Sequence, residues 1–259
     1  MIWHTHMLNP RAYLEDCMLS GRRPLWTGGM PWEVVNAAIN NHFEYAVSES
    51  AKDSWKKQTG LAWNNLDDDE KVTIHCPACK TSVHIPWTTC SVPAGTTVAG
   101  PPDLVGTGYG DGKLSHTCSA CGSVINKDLL CVAKFIDDID SLLGKGRPMP
   151  GTVLNFGSGT PVLLSKSTWK VDPPNIYPNQ MLRKRNDDPK RCVTGLITPG
   201  ANPTMQDVRD KIEKMVKRQG DTSGQGIYVR KMMSRYWDNW SPFALDLKYV
   251  HLRTKLKEN

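Results

Sequence analysis

Cys76-Pro77-Ala78-Cys79 and Cys118-Ser119-Ala120-Cys121 are two C-x-x-C pairs in one chain of 259 residues. In a knuckle of this spacing both sulfurs reach a metal from one tight turn, and a second knuckle completes a tetrahedron. Thiolates are soft, anionic ligands that suit a structural Zn²⁺. Lys80 and Gly122, each just after a second cysteine, fit the turn. Protein would fill all four coordination positions, so the expected site is structural and holds no open position for substrate. Four free or redox-active thiols are the competing reading. His75, His84, Cys90 and His116 lie close enough in sequence to replace a ligand. The stretch between the pairs is long, and its Gly/Pro-rich part from Ser91 to Lys113 reads as a loop excursion.

A second candidate is the histidine pair of the opening "MIWHTHMLNP", His4 and His6. Residues i and i+2 share a side on a strand but point about 200° apart on a helix. Asn9-Pro10 follows as a helix start, with Asn as N-cap and Pro at the first helical position. That setting favours buried or capping histidines; a second metal site is the alternative. A metal-dependent oxygenase of the 2-oxoglutarate type needs a 2-His-1-carboxylate triad. His42-Phe43-Glu44 matches it locally, with His251 as the distant partner, although such short patterns also arise by chance. Walker loops, dinucleotide fingerprints, G-x-S-x-G and H-E-x-x-H are absent, which disfavours the common enzyme classes.

The elements that must position these residues read as an α+β protein. Residues 1 to 47 form a helical segment: Tyr13, Leu14, Cys17 and Met18 recur at helical spacing up to Gly21. A second stripe of Trp32, Val35, Ala38 and Ile39 begins at Pro31. Residues 48 to 150 form a zinc-knuckle β module. "WKKQTGLAWNNLDDDEK" is polar and turn-rich, and "VTIHC" and "SVHIPWTT" follow as short strands. Leu129, Val132, Ala133, Ile136, Ile139 and Leu143 outline an amphipathic helix ending at Gly144 or Gly146. Residues 151 to 259 form a region of loops and small strands, including "VLNF" and "PVLL", and then helices. Helices are expected over "NPTMQDVRDKIEKMVKRQG", over "IYVRKMMSRYW", and from Ser241-Pro242 through Leu252. Cys17 and Cys131 sit in apolar stripes as core residues, and Cys192 lies in a loop.

Composition is that of a globular protein, 39% hydrophobic and 22% charged, and no run is long enough for a membrane helix. With no secretory leader pattern, the expected compartment is the cytoplasm or nucleus, where C-x-x-C pairs bind metal more often than they form disulfides. The net charge of +6 is uneven: residues 1 to 150 hold 13 Lys/Arg against 16 Asp/Glu, and residues 151 to 259 hold 19 against 10. Arg183, Lys184, Arg185, Lys217, Arg218, Arg230 and Lys231 are the candidate nucleic-acid contacts of that basic region. The solvated face of ordinary helices is the plainer account of them. A scaffold that contacts a protein partner invokes the fewest special residues.

"WHTHMLNPRAYLEDC", "MPWEVVNAAI", the knuckles "CPAC" and "CSACG" followed by "LLCVAKF", and "MMSRYWDNWSPFALDL" together resemble the fungal branch of the glycine-rich-domain-containing-protein-like family. The resemblance covers most of the chain and is least clear over residues 151 to 200. It implies a protein of poorly defined biochemical activity, with plant relatives linked to development and stress. Family members carry a helical segment before W-H-x-H, whereas here Met1 stands two residues ahead of Trp3. The chain therefore looks like one lacking the first part of its domain, and the glycine-rich region is absent as well.

Overall fold

The computed structural model describes residues 6–64, 67–90, 106–155, 158–161, 163–165, 170–171, 178–183, 193–218 and 225–237. Helices and small antiparallel sheets together make the fold α+β. The chain divides into two compact units, residues 1–69 with 246–259, and residues 70–245. Residues 48 to 69 of the expected β module thus fall in the first unit, and its remainder shares the second unit with most of the basic region.

In the first unit, α1 (Pro10–Leu19) starts as its sequence predicts. The Asn9 side chain accepts from the Ala12 N–H at 3.4 Å, Pro10 occupies the first turn, and Gly21 leaves the helix at φ +68°. Its buried residues are Tyr13, Glu15, Cys17 and Met18. The Tyr13 hydroxyl donates to the Leu25 carbonyl at 2.5 Å, tying α1 to α2 (Arg23–Gly28). α3 (Trp32–Ala37) departs from expectation because its apolar stripe is not buried. Trp32 is 63% and Val34 68% exposed, and Val35 and Ile39 are exposed as well.

α4 (Glu49–Thr59) is a correction. This stretch reads as polar and turn-rich, yet Ser48 caps it by accepting from the Ala51 N–H, and Gly60 ends it at φ +72°. Thr59 bonds back to the Trp55 carbonyl, and Trp55 packs edge-on against Trp63, which stacks on Tyr45. Caps at both ends and one aromatic anchor suffice where an apolar stripe is missing.

In the second unit, β1 (Lys71–His75) pairs antiparallel with β2 (Ser82–Pro86), from Lys71 opposite Pro86 to His75 opposite Ser82. β3 (Ser115–Thr117) pairs likewise with β4 (Val124–Asn126). Each hairpin turns through one C-x-x-C pair. Val72, Val83, Ile85, Tyr109, Leu114 and Ile125 form the core beneath them. α5 (Lys127–Lys145) follows β4 without a linker: the Asn126 side chain accepts from the Leu129 N–H at 2.8 Å, and Gly146 closes the helix at φ +67°.

Leu129 belongs to the hairpin core, while Val132, Phe135, Ile139 and Leu142 enter a second core with Met149 and with α6 (Asn179–Arg183). α7 (Met205–Arg218) and α8 (Gln225–Trp237) complete it through Val208, Ile212, Met215 and Met232. Ile197 packs against both cores. A short pair, β5 (Leu163–Ser165) with β6 (Lys170–Val171), and a bridge between Leu154 and Pro161 are the small strands expected there. The expected helix from Ser241 lies outside the described residues.

A buried polar contact joins two helices of the second core. The Tyr236 hydroxyl on α8 donates to Asp138 Oδ2 on α5 at 2.6 Å, and the same carboxylate takes the Lys134 ammonium. Burial of this pair makes the bond worth more than an exposed one. Tyr236→Phe is therefore expected to lower unfolding free energy by about 2 kcal/mol in urea titration, with helix content unchanged.

Candidate metal centre

The two knuckles have matching backbones. In the first, the Lys80 N–H donates to the Cys76 carbonyl at 2.8 Å and the Cys76 N–H to the Thr81 carbonyl at 2.9 Å. In the second, Gly122 bonds Cys118 and Cys118 bonds Ser123 in the same way, both at 2.9 Å. Such a turn needs a left-handed residue after the second cysteine, and Lys80 and Gly122 supply it at φ +64° and +71°. Lysine carries a steric cost there that glycine does not. Gly122→Ala is expected to cost about 1–2 kcal/mol, whereas Lys80→Gly is expected to be neutral or stabilising. Thermal unfolding of the two variants checks the contrast.

The hairpins bring all four sulfurs within 4.8 Å of one another. Cys76 Sγ lies 3.8 Å from Cys121 Sγ, and Cys79 Sγ lies 3.7 Å from Cys118 Sγ. These separations far exceed a disulfide bond of about 2.05 Å. They match the roughly 3.8 Å edge of a tetrahedron drawn with zinc–sulfur bonds of about 2.3 Å. The group can hold a metal ion, and among the described residues it is the one cluster of three or more ligand-type side chains.

Its electrostatics are asymmetric. Burial pushes the Cys76 thiol up to about 11. The Thr81 hydroxyl and N–H bring Cys79 down to about 6, and the Ser123 hydroxyl and N–H lower Cys121. Cys76 and Cys118 are enclosed, whereas Cys79 and Cys121 border the surface. Hydroxyl and amide donors aimed at sulfur favour the deprotonated, metal-ligating form.

The other ligand candidates lie outside the four-sulfur group; His116 stands on β3 opposite Ile125, and the rest have partners elsewhere. His84 Nδ1 lies 2.8 Å from the Thr73 hydroxyl and His75 Nδ1 3.4 Å from that of Ser82, both across the first hairpin. Cys90 sits beside Asp111. His6 Nε2 meets Asp16 Oδ2 at 3.1 Å and its ring stands edge-on to Tyr13, so it pins the start of α1; His4 lies outside the described residues. His42 and Glu44 form a tight turn around Asn40, whose side chain accepts from both backbone N–H groups and donates to the Glu44 carboxylate at 2.8 Å. His251 lies outside the described residues.

Comparisons with family models, with curated proteins and with solved structures find no match to this chain. The geometry of the centre is thus the direct guide to its chemistry. Among the described residues, no helix is long and apolar enough to cross a membrane. The basic candidates fall on three helices and on positions outside the described residues. Arg183 and Arg230 are exposed on α6 and α8, Lys231 is half-buried, Lys217 and Arg218 lie on α7 with undescribed side chains, and Lys184 and Arg185 lie outside the described residues.

Two residues of the site escape motif reading. Asp111 ties the two ends of the excursion together. Its carboxylate accepts from the Thr88 hydroxyl at 2.7 Å, the Thr89 N–H at 2.8 Å and the Gly108 N–H at 2.7 Å. At Gly108 the two chain segments approach so closely that a Cβ would lie 2.6 Å from Thr88 Cα. Ser123 is the other, 1% exposed beside Cys121. Its signal is the hydroxyl residue that each knuckle places two positions after the second cysteine, Thr81 and Ser123.

Proposed function

We propose that the four-cysteine centre holds one structural Zn²⁺, and that the protein is a zinc-stabilised scaffold whose surfaces contact other proteins. The four sulfurs within 4.8 Å carry the reading. A soft, all-thiolate donor set at tetrahedral spacing suits zinc, and sulfur at every position leaves the ion no place for substrate. Cys76, Cys79, Cys118 and Cys121 are its ligands in this reading. Membership of the glycine-rich-domain-containing-protein-like family belongs to the same proposal and rests on the motif set. Trp32, Val34, Phe43 and Tyr45, exposed large apolar side chains of the first unit, are the residues through which this reading has it meet a partner.

Elemental analysis of protein purified without added metal tests the proposal. One zinc per chain, unchanged in a His4→Ala/His6→Ala double variant, is the expected result. Absence of zinc would sink the proposal; a second metal, iron above all, lost with those histidines would revive the metal reading of His4 and His6 and reopen the search for a reaction.

A further inference from the structure

Ser123 does more than close the second knuckle. Its Oγ lies 3.3 Å from Cys121 Sγ and 3.0 Å from the backbone nitrogen of Gly200, 77 residues further along the chain. Thr81, its counterpart in the first knuckle, is exposed. A hydroxyl has one proton and two lone pairs. Beside a thiol, Ser123 accepts the S–H; beside a metal-bound sulfur, which has no proton, it turns its own proton to the sulfur. In both states a lone pair remains for the Gly200 N–H.

Gly200 belongs to the approach to α7. It stands at φ +79°, in a turn where the Ala201 N–H donates to the Thr198 carbonyl at 3.0 Å. Thr204 and Asp207 then cap α7 reciprocally: the Asp207 carboxylate accepts from the Thr204 N–H at 2.8 Å and the Thr204 hydroxyl from the Asp207 N–H at 3.3 Å. Val208, Ile212 and Met215 follow, all fully buried in the helical core.

We infer that Ser123 is a positioning residue that orients the Cys121 sulfur on the metal and, through its bond from Gly200, ties residues 198–204 to the ligand turn. The inference rests on the zinc reading above. It goes further in tying a ligand turn of the centre to the approach to α7, a segment outside the four-cysteine group. Hydrogen bonds to a ligating group fix its orientation, and their loss costs metal affinity about 10- to 100-fold.

The test uses the full chain, wild type and Ser123→Ala, loaded with zinc or cobalt. In the variant, zinc affinity measured against a chromophoric chelator is expected to fall about 10- to 100-fold. The sulfur-to-cobalt absorption bands are expected to move. At saturating zinc the Gly200 amide is expected to exchange about tenfold faster, while the Cys76 amide, bonded to Thr81, keeps its rate. An affinity within about twofold of wild type with unchanged cobalt bands, or intact protection at Gly200, overturns the inference. Wild type that binds neither ion overturns the zinc reading and this inference with it.

If Ser123→Ala does not fold, wild type alone decides. Exchanging zinc for the larger cadmium ion displaces the sulfurs, and the Gly200 amide resonance is expected to shift with those of the knuckle. A Gly200 resonance that stays in place overturns the link.

Discussion

Cys118→Ser is expected to lose its zinc and to unfold the second unit at temperatures where wild type is intact. The apparent binding free energy of a structural zinc is about 10–16 kcal/mol at neutral pH, as large as the whole stability of a typical domain at about 5–15 kcal/mol. Cys118 is 1% exposed and Cys76 fully buried, and both lie within the apolar core of the hairpins, so a serine hydroxyl there is also left without good partners. Metal content and melting temperature fall together in this account. Treating wild type with a strong chelator is expected to reproduce the change, and restoring zinc to reverse it. A serine variant with full zinc and wild-type melting would remove Cys118 from the ligand set.

Asp111→Ala ranks second, at about 3 kcal/mol, because it strands the Thr88 hydroxyl and the Thr89 and Gly108 N–H groups together. Burial pushes the carboxyl up, but those donors outweigh it and hold Asp111 at about 2 against an ordinary 3.8. A folded value below the unfolded one means stability that is fully present above about pH 4 and lost as pH falls through about 2. The stability gap between wild type and Asp111→Ala, measured in urea, is therefore expected to be constant near neutrality and to close between those values. A gap that stays open in acid would show that the side chain acts by packing and not by charge.

The sequence makes legible whatever depends on neighbours along the chain. The Asn9-Pro10 start of α1, the stripe of α5 with its Gly146 stop, and both knuckles carry their physical causes locally. α4 hides because Trp55 is the lone large apolar residue in a run of charges, even though Ser48 and Gly60 stand at its two ends. α3 misleads in the opposite sense: its apolar spacing is real, but Trp32 and Val34 face outward. Asp111 and Ser123 are illegible for a third reason. Their partners, Thr88 to Thr89 and Gly200, are 22 or more residues distant, so only the closed chain shows that a carboxylate and a hydroxyl are waiting for them.

The direct passage from β4 into α5 has a mechanical side. Asn126 is both the last residue of the strand and the cap of the helix, so no flexible joint separates the metal turn from a rod about 28 Å long. A tilt of about 5° at the knuckle end displaces the Gly146 end by about 2.5 Å, several times the tolerance of a close-packed interior. The hairpin therefore works as the short arm of a lever whose long arm ends in the helical core. A shift at the sulfurs is opposed along the length of that arm, where Val132, Phe135, Ile139 and Leu142 are locked into the helical core.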